Sequence, residues 1–348
     1  MRIAVDVMGG DHGPGVVIAG AKLALEANDR IKALFLVGRT DEIKAALTHS
    51  RLDDPRVQIV QASEFLTMED KPVEGLRKKK DCSILRAVEL VRDGQADALI
   101  SPGNTGGLVA AATIRLRTLP GVERAGIATV IPGPGKGFVL LDSGANVESR
   151  PNHLVHYAVM GSVYSRAILG CNRPRVGLLC NGTEDNKGTE LTQQALKLCR
   201  QLDIDFIGHV EGHDLFHDRV DVVVCDGFVG NIVLKTLEGF AKGLGSWLQA
   251  ELRKNPKRLL GAMLAKNALR TVKRRMDPDA YGGAPLLGLN GNVMKAHGSA
   301  NERAIMNAIR VSTEAVHHHV KEHIRDEVAR ANQRLAAGKV AEPAATLA

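Results

Sequence analysis

Short apolar runs alternate with helix-length amphipathic stretches along most of the chain. Nine runs rich in Val, Ile and Leu lie at positions 3–7, 33–37, 57–60, 98–100, 128–131, 138–141, 175–179, 206–210 and 221–225. Alternating strands and helices are typical of a mostly parallel sheet with helices on both faces. The pattern predicts a three-layer α/β/α fold with a doubly wound sheet, in which a Gly/Pro-rich turn joins the fifth and sixth runs as a hairpin.

The length of 348 residues allows one or two domains. We predict one large α/β domain over residues 1–335, because α/β enzymes often extend a single sheet over this length. Residues 301–335 have the pattern of one long helix. The small residues and the proline of segment 336–348 predict a flexible tail.

The cysteines and the N-terminal residues indicate the cellular compartment. The five cysteines are an odd number without a Cys-x-x-Cys pair, which favours reduced thiols. The first strand carries an acidic residue at position 6 and no long apolar run, unlike a signal peptide or a membrane span. We therefore expect a cytoplasmic protein.

The net charge of +7 is concentrated in one segment. Residues 253–275 contain nine basic and no acidic side chains, whereas the rest of the chain has 37 basic and 39 acidic ones. Aromatic residues make up only 3% of the chain. A general nucleic-acid binder, which needs a broad basic surface and stacking platforms, is therefore not expected.

Six strands end in short, polar, glycine-bearing loops that lead into helices, at 8–14, 101–107, 142–148, 181–189, 226–231 and 295–301. In a doubly wound sheet such loops surround the crevice where ligands bind, so we expect the six to form one site. Glycine backbone, helix N-termini and the Asn, Ser, Thr and Lys side chains of these loops suit a phosphate group. The predicted ligand is an anion.

Several familiar motifs are absent from the sequence. It has no strand-linked Gly-x-Gly-x-x-Gly, no Walker loop, no Gly-x-Ser-x-Gly and no His-Glu-x-x-His. Dinucleotide, nucleoside triphosphate and zinc chemistry lose support, and we expect no cofactor and no metal. The histidines at 317–319 are interpreted as a solvated helix face rather than metal ligands.

Seven short motifs stand out in the loops: IAVDVMGGDHGP (3–14), KKD (79–81), SPGNTGG (101–107), LDSGAN (141–146), NGTEDNKG (181–188), DGFVGN (226–231) and KxHGS (295–299). Together they resemble the loops of the bacterial phosphate acyltransferases of phospholipid synthesis, and the resemblance extends to about residue 315. It implies transfer of a fatty acyl group from acyl carrier protein to inorganic phosphate, giving acyl phosphate for phosphatidic acid synthesis. It also implies a homodimer with an isopropylmalate-dehydrogenase-like fold akin to phosphotransacetylase.

The resemblance and the loop chemistry together give a set of candidate site residues. Catalysis is assigned to His297, Lys187, Lys295, Asn181 and Asn231. Phosphate or substrate binding is assigned to Asp11, His12, Asn104, Thr105, Gly106, Asp142, Asn146, Gly182, Thr183 and Gly188. His297 has three possible roles here: stabilising the oxyanion, protonating the departing thiolate, or capping the helix that follows.

Two offset apolar stripes in the basic segment predict an amphipathic helical hairpin inserted at 253–283, with a break near Asn267. Contact with acidic carrier protein or an anionic membrane is assigned to Arg258, Leu260, Met263, Leu264, Lys266, Arg270, Lys273 and Arg274. Peripheral membrane association would deliver the product to a membrane glycerol-3-phosphate acyltransferase, a further candidate partner. The same apolar face also suits acyl-chain shelter or dimer contacts.

Two alternative functions remain at this point. An NAD-dependent dehydrogenase on the related fold requires paired metal-binding aspartates and a cofactor loop that the sequence does not contain. A non-enzymatic peripheral membrane scaffold would use the basic hairpin alone, and it leaves the six polar loops unexplained.

Overall fold

The computed structural model describes residues 1–133, 135–275 and 282–341. Within them, eleven strands form one sheet. The strands are β1 (Arg2–Asp6), β2 (Ala33–Gly38), β3 (Val57–Gln61), β4 (Ala98–Ser101), β5 (Gly126–Ile131), β6 (Phe138–Leu141), β7 (Arg175–Leu179), β8 (Asp205–Val210), β9 (Val222–Val224), β10 (Ala284–Leu287) and β11 (Asn292–Lys295).

Helices cover both faces of the sheet. They are α1 (Pro14–Ala27), α2 (Thr40–Ser50), α3 (Pro72–Lys78), α4 (Ser83–Arg92), α5 (Thr105–Leu116), α6 (Pro151–Tyr164), α7 (Glu190–Cys199), α8 (Gly227–Leu252), α9 (Pro256–Leu264), α10 (Lys266–Arg275), α11 (Glu302–His317) and α12 (Val320–Ala341). A π-helical turn, Ser165–Leu169, extends α6, and a 3-10 turn covers Asp214–Phe216.

The strand order is β3-β2-β1-β4-β11-β10-β5-β6-β9-β7-β8. Pairing is parallel from β3 to β11 and again from β6 to β8, while β10 pairs antiparallel with both β11 and β5, and β5 pairs antiparallel with β6. All nine predicted runs are strands, and the predicted α/β/α class with a mostly parallel sheet is confirmed. Of the two strands at the centre of the sheet, β11 was implied only by the loop expected at 295–301, and β10 was not predicted.

Side-chain alternation along the strands builds a separate core on each face. In β1, Ile3 and Val5 pack with α1 and α11, whereas Ala4 packs with α4 and α5 on the opposite face. In β6, Val139 packs with α6 and α12, whereas Leu140 lies in the cluster that contacts α8. Both faces of β1 and β6 are buried, which explains why these two strands read as continuous apolar runs.

The C-terminal region departs from the expected single helix. It forms α11 and α12, separated at His318 and His319, and His319 adopts a left-handed φ of 49°. The prediction of one long helix over 301–335 was therefore wrong, because a single left-handed residue redirects the chain. α12 continues to Ala341, and residues 342–348 of the expected tail lie outside the described residues.

The basic segment forms two short helices, α9 and α10, which meet at Ala265, two residues before the expected break. The apolar stripe of α9 faces outward, and its Leu264 side chain is 83% exposed. Residues 276–281 of the expected hairpin lie outside the described residues. Among the helices described, none is both long enough and apolar enough to cross a bilayer.

The first turn of α8 is docked directly on the loop after β6. A Cβ added at Gly230 would lie 1.9 Å from the Asp142 carbonyl oxygen, and one added at Gly227 would lie 2.5 Å from the Asn146 carbonyl oxygen. Both obstacles are backbone atoms, which cannot rotate away. From this contact α8 runs back along β6, where Val233 and Leu237 pack on the cluster containing Leu140.

We predict that Gly230→Ala lowers the free energy of unfolding by about 2 kcal/mol or more, because its methyl group collides with fixed backbone. Gly245→Ala is the matched control, since a Cβ at this α8 position meets nothing within 4 Å. Replacing glycine there should raise the free energy of unfolding by about 0.5–1 kcal/mol. Urea denaturation of both variants checks the prediction, and equal responses would contradict the docking of α8.

Candidate active site

The six loops form two groups rather than one. The first loop group follows the adjacent strands β1, β4 and β11, and the second loop group follows the adjacent strands β6, β9 and β7. Three antiparallel pairings lie between β11 and β6, so the two sets of strands run in opposite directions. The six loops therefore do not lie at one edge of the sheet, where an entirely parallel sheet would place them.

The buried carboxylate of Asp6 organises the first loop group. It accepts hydrogen bonds from the Ser101 hydroxyl at 2.7 Å and from the Met8 N–H at 3.1 Å. The Ser101 oxygen in turn accepts from the Gly103 N–H at 3.0 Å. Burial raises the pKa of Asp6. Sequence reasoning missed this residue, although an acid inside an otherwise apolar strand was the available signal.

Lys295 ends β11 within the same group, and its side chain is buried. Its ammonium group donates to the Pro102 carbonyl at 3.1 Å and to the Ala296 carbonyl. Burial lowers the pKa of Lys295 to about 8, opposed by the negative charges of Asp6 and Asp11. Lys295 therefore holds the loop after β4 in place while adding positive charge beneath the site.

Asn104 makes internal hydrogen bonds with both ends of its amide. Its nitrogen donates to the carbonyls of Thr67, Met68 and Asp70, and its oxygen caps α5 by accepting from the Gly107 N–H at 2.9 Å. These bonds make Asn104 an organiser of the loop rather than a direct ligand. The expected neighbours Thr105, Gly106, Asp11 and His12 are all exposed.

His297 lies on the loop after β11 and is oriented by Ser299. Its Nδ1 accepts from the Ser299 backbone N–H at 3.3 Å and lies 2.9 Å from the Ser299 hydroxyl. A neutral ring with Nδ1 as acceptor carries its proton on Nε2. Burial, together with the nearby Lys235 charge, lowers the pKa of His297. Asn301 caps α11 by accepting from the Ala304 N–H, so His297 is not the helix cap.

Asp142 organises the second loop group through its fully buried carboxylate. It accepts hydrogen bonds of 2.9–3.1 Å from the backbone N–H groups of Ile127, Gly144, Ala145 and Asn146. The Asn146 amide also donates to this carboxylate at 3.0 Å. A carboxylate so fully paired with donors of its own chain shapes the loop. The Asp142 carboxylate and the Asn146 amide nitrogen, both expected to bind substrate, are thus engaged in hydrogen bonds within the protein.

Asn231 stands beside this loop, at the start of the second turn of α8. Asp226 caps the helix by accepting from the Val229 N–H at 2.9 Å. Asn231 is exposed, and the position of a Cβ on Gly144 would be 3.4 Å from the Asn231 Cβ. Within the described parts of the chain, the Asn231 amide makes no hydrogen bond. Its donors are therefore available to a ligand.

The loop after β7 presents Lys187. Asn181 shapes it by accepting from the Gly188 N–H at 3.0 Å, and Gly188 has a left-handed φ of 87°. The Lys187 stem packs over Gly182, and the side chain is exposed. Across residues 1–133, 135–275 and 282–341, no carboxylate pairs with the Lys187 ammonium. Thr183, next to Gly182, is also exposed.

Helix α8 joins the two loop groups. Asn231, Lys235, Glu238 and Lys242 recur at helical spacing and therefore share one face of the helix, the polar stripe of α8. The stripe begins at the second loop group, and the charges of Lys235, Glu238 and Lys242 act on His297 of the first. At about 1.5 Å per residue, eight residues of α8 span about 12 Å. A four-residue strand such as β6 spans about 13 Å, so about two turns of α8 match the length of this strand.

The 4-3-4 spacing of this stripe was visible in the sequence but was not recognised. The stripe carries the Asn231 amide at its start and the Lys235 and Lys242 ammonium groups further along the helix. Such a surface can bind an oxyanion and stabilise a developing negative charge. The basic residues of α9 and α10 lie beyond the far end of α8.

Comparison with known proteins agrees with this chemistry. The profile of the family described as fatty acid synthesis protein matches residues 1–323. A phosphate acyltransferase from Akkermansia muciniphila is 46% identical over 336 residues, which is 95% of this chain and 96% of that protein. One from Desulfitobacterium hafniense is 46% identical over 331 residues, covering 95% and 98%.

Solved structures share the fold. A phosphotransacetylase from Staphylococcus aureus has a TM-score of 0.59 at 18% identity, covering 90% of this chain and 94% of that one. One from Streptococcus pyogenes has a TM-score of 0.60 at 19% identity, covering 90% and 93%. The resemblance noted in the loop sequences is thus confirmed over nearly the whole chain, which belongs to the fatty acid synthesis protein family, whose matched relatives are phosphate acyltransferases.

Proposed function

We propose that this acyltransferase moves a fatty acyl group from acyl carrier protein to inorganic phosphate, and that the acyl phosphate feeds phosphatidic acid synthesis. The observation that carries the proposal is the pair of free donors at the second loop group. Lys187 and Asn231 are exposed beside backbone N–H groups of glycine-bearing loops. Cationic and amide donors without a paired carboxylate suit a phosphate ion.

In the proposed reaction a phosphate oxygen attacks the thioester carbonyl. The new oxygen–carbon bond forms, the carbon–sulfur bond breaks, and the departing thiolate takes up the proton released by the phosphate. Phosphate is nucleophilic enough at neutral pH that the protein need not supply a nucleophile of its own. The protein aligns the two substrates and stabilises the tetrahedral oxyanion.

The environment of His297 supports the oxyanion role among its candidate roles. Its lowered pKa keeps the ring neutral at neutral pH, and the contact with Ser299 leaves Nε2–H as a donor. A neutral imidazole is a good hydrogen-bond donor but a poor acid for a thiolate. In this proposal His297 donates to the oxyanion, and Lys295 positions the loop beneath it.

The exposed surfaces support proposals for the partners. The outward face of α8 carries Phe228, Ile232, Phe240 and Trp247, each at least 50% exposed, which suits a homodimer interface. The nine basic residues of segment 253–275 suit acidic carrier protein or an anionic inner membrane leaflet, where a membrane glycerol-3-phosphate acyltransferase would receive the product. In this proposal the protein is cytoplasmic and attaches to the surface of the membrane peripherally.

The proposed reaction is tested with palmitoyl carrier protein and radiolabelled phosphate, by following labelled acyl phosphate. We predict product with the wild-type protein and a loss of about 100-fold in turnover for Lys187→Ala, because one donor to the phosphate or oxyanion disappears. Lys197→Ala, an exposed lysine on the neighbouring helix α7, should leave turnover unchanged. The absence of labelled product with folded wild-type protein would refute the proposed function.

Membrane contact is tested by flotation with vesicles containing anionic lipid. Leu260→Glu plus Met263→Glu should abolish flotation, because the change places two charges on the outward stripe of α9. Ile114→Glu plus Ile207→Glu adds the same charge at exposed sites elsewhere and should float as the wild type does. Equal flotation of the Leu260/Met263 variant and the wild type would eliminate the membrane proposal.

A further inference from the structure

We propose that His209, a buried histidine of β8, is a positioning residue for Lys187 that acts through the Glu184 carbonyl. The inference rests on the proposed function, in which Lys187 is a donor to the phosphate or the oxyanion, and extends it to a side chain outside the six loops. It links the placement of an exposed lysine to a ring inside the core.

Lys187 is the last residue of a β-turn that starts at Glu184. The Lys187 backbone N–H closes this turn by donating to the Glu184 carbonyl at 3.1 Å. The Nδ1 atom of His209 lies 3.2 Å from the same carbonyl oxygen. Because a carbonyl oxygen only accepts, Nδ1 carries the proton and donates it. One oxygen atom therefore joins the backbone of Lys187 to the ring of His209.

A β-bulge turns His209 towards this loop. The register of β8 against β7 shifts by one residue between Phe206 and Gly208, and Gly208 has a left-handed φ of 90°. In a regular strand, residues 206 and 210 would share a face. Here Phe206 packs with the cluster of α6 and α7, whereas Val210 packs with the cluster of α8. His209, next to Val210, therefore faces α7 and the loop that precedes it.

The burial of His209 shows that the core does not require a histidine at this position. Its ring is 3% exposed, and within the described residues its Nε2 atom is buried without a hydrogen-bond partner. An unpaired buried polar atom costs free energy, which an apolar side chain at the same place would avoid. The hydrogen bond to the turn is the contact that an apolar side chain could not make.

Two further contacts hold the turn from the side of α7. Arg200 donates to both carboxylate oxygens of Asp185 at 2.6 Å, and the Gln193 amide donates to the Asn186 carbonyl at 2.9 Å. Both contacts are exposed, and solvent weakens such interactions. His209 adds a contact from the buried side, so the turn is fixed between α7 and β8 and the Lys187 side chain starts from a defined point.

The test compares His209→Phe, which keeps an aromatic ring without a donor, with His209→Asn, whose amide can donate near the position of Nδ1. In the labelled-phosphate assay we expect His209→Phe to lower kcat/KM for phosphate by about tenfold, the effect of losing one hydrogen bond, and His209→Asn to restore most of it. His209→Leu replaces the Phe variant if that variant does not fold.

His217→Phe is the matched control. The Nδ1 atom of this exposed ring also lies next to a backbone carbonyl, that of His213 at 2.6 Å, but in the loop after β8. Its kcat/KM should equal that of the wild type.

Coupling to Lys187 separates a positioning role from a general effect on the fold. If His209 acts through Lys187, adding His209→Phe to Lys187→Ala should cause no further loss of kcat/KM. A further tenfold loss in the double variant, or an unchanged kcat/KM in His209→Phe alone, would overturn the inference. Neither result would touch the proposed function, because the wild type serves as the reference in the same assay.

Hydrogen exchange of residues 182–188, followed by mass spectrometry, gives a readout that needs no turnover. We expect faster exchange in His209→Phe, because the turn loses its buried contact, and wild-type exchange in His209→Asn and His217→Phe. If the wild type forms no acyl phosphate, the proposed function fails, and faster exchange in His209→Phe would still support control of the turn by His209. Equal exchange in His209→Phe and the wild type would refute it.

Discussion

The contact between the first turn of α8 and the loop after β6 is the interaction on which the site depends. Gly227 and Gly230 bring the helix backbone against the carbonyls of Asn146 and Asp142, closer than any side chain would allow. This contact fixes the rotation of α8 about its own axis and therefore which face of the helix packs against β6. Without it, the loops on oppositely directed strands would have no common surface.

Two buried carboxylates perform equivalent tasks on the two sides of this helix. Asp6 binds N–H and O–H donors from the loops after β1 and β4, and Asp142 binds N–H donors of its own loop and of β5. Each acid converts a glycine-bearing loop into a fixed shape. Asn231 stands beside the loop fixed by Asp142 and is thereby presented from a rigid support, as a preorganised oxyanion site requires.

Much of the fold was predictable because central strands such as β4 and β6 are buried on both faces and therefore read as continuous apolar runs. The β10–β11 pair was not recognised, since β10 includes Pro285 and β11, with Asn292 and Lys295 at its ends, was implied only by the loop that follows it. The break at His319 was also not predictable, because no glycine or proline marks it. The reversal of strand direction at the centre follows from these unrecognised strands, and with it the division of the loops into two groups.

The candidate site residues are of two kinds, those with free polar atoms and those whose polar atoms are engaged within the protein. Sequence reasoning selected Lys187, Asn231 and His297, whose polar atoms are free or only locally oriented. It also selected Asn104, Asp142 and Asn146, whose side chains make hydrogen bonds within the protein. The two kinds of residue look alike in a sequence, because only coordinates show whether a loop amide faces outward or satisfies its own chain. The lysines of α8 lay outside every recognised motif.

The central claim is that both loop groups, joined by α8, act on one pair of substrates. Its most direct test is a crystal structure with inorganic phosphate and carrier protein bearing a thioether analogue of the acyl donor. The account predicts the phosphate in contact with the analogue's acyl end, with Lys187 or Asn231 on one side of the pair and His297 on the other. Both ligands held by a single loop group, with the other facing only solvent, would contradict it.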